Sequence, residues 1–226
     1  CTTASIITAA LGIRDLEQIS AEQVALIQKV HLLLAMYNAM QPGVFALSGW
    51  DLVGALPLEP EQVEGLMGDG DTRWIHRGAY DLADLDVEAQ LSAEGLPRAR
   101  SLYGSLASQL QQPDSFACSL KRMLAVRQAY AIAASRQILI PEVANPALLL
   151  MVHELPAGKG IQITALNFGA EPQSETLHLP DVSPGAVVDM INETVEGDLT
   201  EDGRLMVNLE PYEALCLRIV NSSGHV

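Results

Sequence analysis

Between Gln41 and Tyr80 the chain gathers side chains suited to holding a polar, uncharged ligand. Ser48-Gly49-Trp50-Asp51 puts an indole and a carboxylate at the end of a short apolar run. Asp51 can accept from a hydroxyl, or simply close its own loop. Trp50 offers a flat apolar platform, or packs beneath that loop. Arg73, Trp74, His76, Arg77 and Tyr80 form the densest polar and aromatic group in the sequence. Arginine presents a rigid fork of donors to hydroxyls or carboxylates. The competing reading of Arg73 and Arg77 is salt bridging to Asp69, Asp71 or Asp81.

Those residues must be held by the elements around them. Ser20-Ala21-Glu22-Gln23 is a capping box opening a helix over 21–40. Val24, Ile27, Val30, Leu33 and Leu34 form one apolar face, widened by Leu26, Leu32 and Met36, so the helix belongs inside a larger body. Pro42-Gly43 stops it. Residues 44–48 are short and apolar, as a central parallel strand is. A loop at the end of such a strand faces the active site in a (β/α)8 barrel. With so little chain before the helix, we read this as the last turn of a barrel whose earlier strands lie elsewhere. The chain is then the C-terminal piece of a larger enzyme.

Residues 49–113 have little periodicity and hold many acids, Gly and Pro, the mark of a functional loop region. A second helix opens at Pro113-Asp114, with Phe116, Leu120, Met123, Leu124 and Arg127 along one side. After Arg136 the period becomes alternating. Strands are expected at 137–140, 147–155, 160–167, 175–179, 187–191, 204–209 and 214–220. Turns fall at Pro156 to Gly160 and Glu201-Asp202-Gly203. This spacing indicates an antiparallel sandwich. The fold class is therefore α/β plus all-β: residues 1–136 ending a TIM barrel, residues 137–226 forming an antiparallel β-sandwich domain.

Net charge is −15, from 28 acids against 13 Lys and Arg, which argues against a nucleic-acid partner. No apolar run approaches a membrane span. Cys1, Cys118 and Cys216 lack the spacing of a disulfide framework or zinc site. Asp69-Gly70-Asp71 and Asp84-Leu85-Asp86 do not meet the twelve-residue calcium-loop pattern. His31 reads as a packed core histidine, and His153 and His178 have no metal-ligand partner at usable spacing. Asn192 and Asn221 head glycosylation sequons, which arise often by chance.

The order helix, strand, long loop, helix, sandwich resembles the end of an α-amylase-superfamily enzyme (glycoside hydrolase family 13). Ala165-Leu166-Asn167-Phe168-Gly169 is similar to the family's sandwich signature, and Glu210-Pro211-Tyr212-Glu213-Ala214 to the entry of its last strand. Ser48-Gly49-Trp50-Asp51-Leu52, Asp71-Thr72-Arg73-Trp74 with Arg77-Gly78-Ala79-Tyr80, and Val152-His153-Glu154-Leu155-Pro156 resemble the bacterial trehalose synthases, the maltose α-D-glucosyltransferases.

The resemblance implies a cytoplasmic isomerase acting on maltose, trehalose and glucose, able to assemble as a homo-oligomer, with no cofactor. Calcium is conceivable in the parent enzyme. It also implies that the nucleophile Asp, the acid/base Glu and the third Asp lie on earlier strands. Their motifs are absent here, so no catalytic residue is assigned and the chain alone is expected to be inactive. By resemblance, Trp50, Asp51, Arg73, Trp74, Arg77 and Tyr80 help enclose the substrate. The alternatives are a glucan hydrolase, a maltosyltransferase, or a non-catalytic carbohydrate-binding or interaction module. The few sandwich aromatics, Phe168 and Tyr212, are poor equipment for the last.

Overall fold

The computed structural model describes residues 1–221. The chain divides into two compact units, 1–31 with 46–119 and 32–45 with 120–226.

The first unit is mostly loop, punctuated by short helices. It contains α1 (Thr3–Ala10), the start of α2 (Ala21–Ala39), α3 (Gly49–Val53), α4 (Pro60–Val63), α5 (Leu106–Gln109) and the start of α6 (Phe116–Ala129). The box opening α2 forms as its residues require: Ser20 N donates to Gln23 Oε1 at 2.9 Å, and Gln23 N to Ser20 Oγ at 3.2 Å. α6 starts two residues later than Pro113-Asp114 suggests, after a turn that Ser115 holds by donating to Gln109 O (2.7 Å). A small core of Val53, Ala55, Leu58, Val63 and Ala99 anchors the loops, with Trp50, Trp74, Tyr80 and Leu82 packed on its edge. These loops lack regular ladders but not order. Gln109, nearly fully buried, donates to Leu52 O and Gly104 O and accepts from Ala117 N.

The second unit carries eight antiparallel strands: β1 (Arg136–Leu139), β2 (Leu148–Glu154), β3 (Ile161–Asn167), β4 (Gln173–His178), β5 (Gly185–Asp189), β6 (Val195–Leu199), β7 (Arg204–Leu209) and β8 (Ala214–Asn221). Six form one sheet in the order β1-β2-β3-β8-β5-β6, and β4 pairs with β7 in the other. Inward residues of both sheets share one core, among them Leu150, Val152, Ile163, Leu177, Leu205, Val207 and Ile219. β7 shows the pattern most cleanly, with Leu205, Val207 and Leu209 buried and Arg204, Met206 and Asn208 exposed.

The opposite face of the six-stranded sheet is partly polar. His153 and Gln162 are register partners and both fully buried. Gln162 Nε2 donates to Met40 O at 2.8 Å and Thr164 Oγ1 at 2.9 Å, while neither ring nitrogen of His153 has a partner. Arg127 forks onto the carbonyls of Ala39, Gln41 (2.7 Å) and Gly43, which follow or end α2.

Two sequence expectations need correction. β6 is not among the expected strands. Its sequence Val-Glu-Gly-Asp-Leu is poor in strand formers, and as an edge strand it is held from one side only. Residues 44–48, expected as a buried parallel strand, form no strand and belong to neither sheet, and Val44 is 93% exposed. A parallel strand takes its hydrogen bonds from neighbours on both sides, and no barrel is visible among the described residues. No helix of the described residues is long and apolar enough to cross a membrane.

Candidate functional site

The site residues converge because two short helical turns face each other within the first unit. Ser48 caps α3. Its hydroxyl accepts from Asp51 N at 3.3 Å and donates to Asp51 Oδ2 at 2.8 Å, while Ser48 N lies 3.4 Å from the same oxygen. Asp51 is therefore fixed at the first turn of its own helix. Gly54 ends that helix in the left-handed region at φ 62°, with the Tyr103 ring against its Cα, so residue 54 has no room for a side chain.

The second turn spans Thr72–His76 and is capped by Asp71, which accepts from Arg73 N at 3.0 Å. The same carboxylate takes Arg73 in a fork, 2.6 Å to Nε and 2.8 Å to Nη2, and lies 3.5 Å from Arg77 Nη1. The hydrogen bond from Arg73 is the main reason the Asp71 carboxyl falls to about 2. Arg77 also lies over the Trp74 ring at 5.2 Å. Trp50 donates its indole N–H to Gly78 O at 2.8 Å and meets Tyr80 edge-on at 5.9 Å.

Four of the six residues singled out in the sequence, Trp50, Asp51, Arg73 and Arg77, line one cleft of about 320 Å³ with Thr2, Thr3, Ser48 and His76. Trp74 and Tyr80 do not line it. They stand behind, Trp74 under Arg77 and Tyr80 against Trp50. Of the salt bridges weighed for the arginines, those to Asp71 form; Asp81 instead faces Arg98 at 3.9 Å. The cleft thus offers a carboxylate acceptor, a partly engaged guanidinium and an apolar indole edge, the mixed lining of a small polar-ligand site.

The structure adds a layer the sequence did not show. His31, 1% exposed, lies behind Asp51 with Nε2 at 3.7 Å from Asp51 Oδ1. Its Nδ1 is 3.1 Å from Tyr103 Oη, and the Phe116 ring packs 4.5 Å away. Burial lowers His31 to about 4, with Asp51 opposing the shift. An isolated histidine on an apolar helix gave no sign of this, because Asp51 and Tyr103 lie far along the chain. His153 is buried in the sheet, and Asn192 is engaged, its Nδ2 donating to Asp189 Oδ2 at 2.6 Å. The Asn221-Ser222-Ser223 sequon runs outside the described residues.

No protein-family model matches the chain, and no curated protein does. Solved structures do. An isomaltulose synthase variant from Erwinia rhapontici NX5, in complex with D-glucose, superposes with a TM-score of 0.62 at 14% identity, over 94% of this chain and 40% of that one. The trehalulose synthase MutB from Pseudomonas mesoacidophila MX-45 gives 0.60 at 14%, over 94% and 41%. AmyP in complex with maltotriose gives 0.57 at 20%, over 94% and 37%.

The chain has the fold of the C-terminal region of such enzymes. It spans about two-fifths of their length. At these identities the likeness is one of fold, and it agrees with the antiparallel sandwich expected from the α-amylase-superfamily resemblance.

Proposed function

We propose that this chain is the C-terminal part of an α-glucosyl-transferring enzyme of the α-amylase superfamily that interconverts maltose and trehalose. The observation that carries the reading is the convergence of Trp50, Asp51, Arg73 and Arg77 on one cleft. A disaccharide is neutral, rich in hydroxyls and apolar on its ring faces. Asp51 accepts, Arg77 donates, and Trp50 supplies apolar surface. The similar structures support a sugar ligand: AmyP is in complex with maltotriose or maltose, and a MutB variant with its substrate sucrose. Two of them are an isomaltulose synthase and a trehalulose synthase.

In this reading the reaction is a retaining intramolecular transglucosylation. It needs two carboxylates about 5–5.5 Å apart on either side of the anomeric carbon. These lie on a part of the protein outside this chain, on the barrel strands that would also pair with residues 44–48. The nucleophile carboxylate displaces the leaving glucose and forms a β-glucosyl ester. The acid/base carboxyl protonates that glucose as it leaves. The glucose turns in the closed pocket and attacks through its anomeric hydroxyl, whose proton passes to the acid/base carboxylate, and the nucleophile carboxylate leaves. The segment from Trp50 to Tyr80 holds the turning glucose and excludes water, which would otherwise hydrolyse the ester.

The test is to express the longest reading frame containing this chain, incubate it with maltose, and quantify trehalose and glucose. Trehalose in excess over glucose supports the proposal. Glucose alone marks a hydrolase, and unconsumed maltose overturns the reading. This chain alone should give no turnover; activity above blank would place the catalytic carboxylates within it.

A further inference from the structure

Asp51 is the carboxylate of the cleft, and both of its oxygens have assigned neighbours. Oδ2 accepts from the Ser48 hydroxyl at 2.8 Å. Oδ1 lies 3.4 Å from Thr3 N and 3.7 Å from His31 Nε2. The second distance is beyond a hydrogen bond, and Nε2 has no other partner although the ring is 1% exposed. A buried, unpartnered ring nitrogen aimed at a carboxylate in a cleft wall calls for a reason.

The neutral ring carries one proton, and the surroundings decide where. If it sat on Nδ1, that nitrogen would donate to Tyr103 Oη, and the bare Nε2 lone pair would face Asp51. Two electron-rich atoms would then oppose each other in a buried site. If Tyr103 donates its hydroxyl proton to Nδ1 across 3.1 Å, the proton stays on Nε2 and points at Asp51 Oδ1. Only this arrangement turns a repulsion into an attraction. The tyrosine is half-buried, its ring stacked on Phe116 at 5.2 Å.

We infer that His31 is a positioning residue for Asp51, with the Asp51 carboxylate selecting the imidazole tautomer and the Tyr103 hydroxyl donating to Nδ1, so that Nε2–H steadies the carboxylate as the acceptor of a ligand hydroxyl. That last role rests on reading the cleft as a sugar site. A ligand pressing on Asp51 has a few tenths of an ångström in which to bring Oδ1 into hydrogen-bond range of Nε2–H. His31 and Tyr103 then act through Asp51 and touch no substrate themselves.

The experiment uses the complete protein labelled with 15N at histidine. The His31 signal is assigned by its loss in His31→Gln, and maltose affinity is measured by calorimetry on the same samples. The expected result is a neutral His31 with its proton on Nε2, its Nδ1 resonance shifting in Tyr103→Phe as that nitrogen loses its hydroxyl donor. Maltose should bind about three- to tenfold more weakly to Tyr103→Phe, the scale of one hydrogen bond. His31→Gln, which keeps an N–H donor, should bind better than His31→Leu at equal melting temperature.

A proton found on Nδ1, or an Nδ1 resonance that Tyr103→Phe leaves unmoved, overturns the inference. So does measurable maltose binding of equal affinity in the wild type and all variants. If the tautomer is as expected and the wild type binds no maltose, the relay stands and the sugar reading fails.

Discussion

Tyr80 occupies the space that any side chain at Gly49 would need. A Cβ at residue 49 would lie 2.7 Å from Tyr80 Cζ and closer still to its hydroxyl. The glycine opening α3 therefore sets how close the Tyr80 loop comes to Trp50 and Asp51.

Gly49→Ala should destabilise the protein by about 1–3 kcal/mol, the usual cost of overpacking. The loss should shrink when Tyr80→Ala is added, because the two changes share one clash. Urea midpoints of the two single variants and the double variant check this; strict additivity would mean that the clash is relieved elsewhere.

Arg127 satisfies the carbonyls of Ala39, Gln41 and Gly43 with one side chain. Arg127→Met keeps the volume and removes the donors, so it should lower stability by about 2–3 kcal/mol. Arg127→Lys should recover little, since one ammonium cannot reproduce the planar fork. The observable is the thermal or urea unfolding midpoint.

Stability should fall in mild acid partly through His31. Folded, the ring protonates only at about 4, while an unperturbed histidine does so at 6.5, because burial disfavours the cation. Between those values the unfolded chain binds the extra proton, so lowering pH favours unfolding by up to about 1.4 kcal/mol per unit. Over the window this reaches about 3 kcal/mol. Burial lowers His76 and His153 in the same direction. The discriminating quantity is the difference in slope between the wild type and His31→Gln, from unfolding free energies at pH 7, 5.5 and 4.5. Parallel curves would refute a neutral buried His31.

Arg77 lines the cleft yet is also tied to Asp71 and Trp74. In the complete enzyme, Arg77→Ala should cut trehalose formation from maltose about ten- to a hundredfold, the equivalent of one charge-assisted hydrogen bond. Release of glucose should fall less. An unchanged product ratio with a lowered melting temperature would make Arg77 a purely structural clamp.

What was legible in the sequence was what is local. Ser20 and Gln23 announced the start of α2 because a capping box is written in four residues. β7 and β2 announced themselves by alternation or by a continuous apolar run. The strand expected at 44–48 shows the limit: its apolar residues and bounding glycines are the right ones, but a strand exists only through neighbours. The cleft was partly visible because Trp50, Asp51, Arg73 and Arg77 sit close together in sequence, and two short turns suffice to bring them together. His31 and Tyr103 were not, since the chain between them spans most of the first unit.

The chain has two tryptophans, and both stand at this cleft, Trp50 in its wall and Trp74 beneath Arg77. The sandwich has none. Ultraviolet emission excited in the indole band therefore comes from a single neighbourhood, with a guanidinium against one chromophore and a phenol against the other. The fold carries its own optical probe of that neighbourhood: a shift in colour or intensity reads the cleft, and unfolding confined to the strands passes unseen.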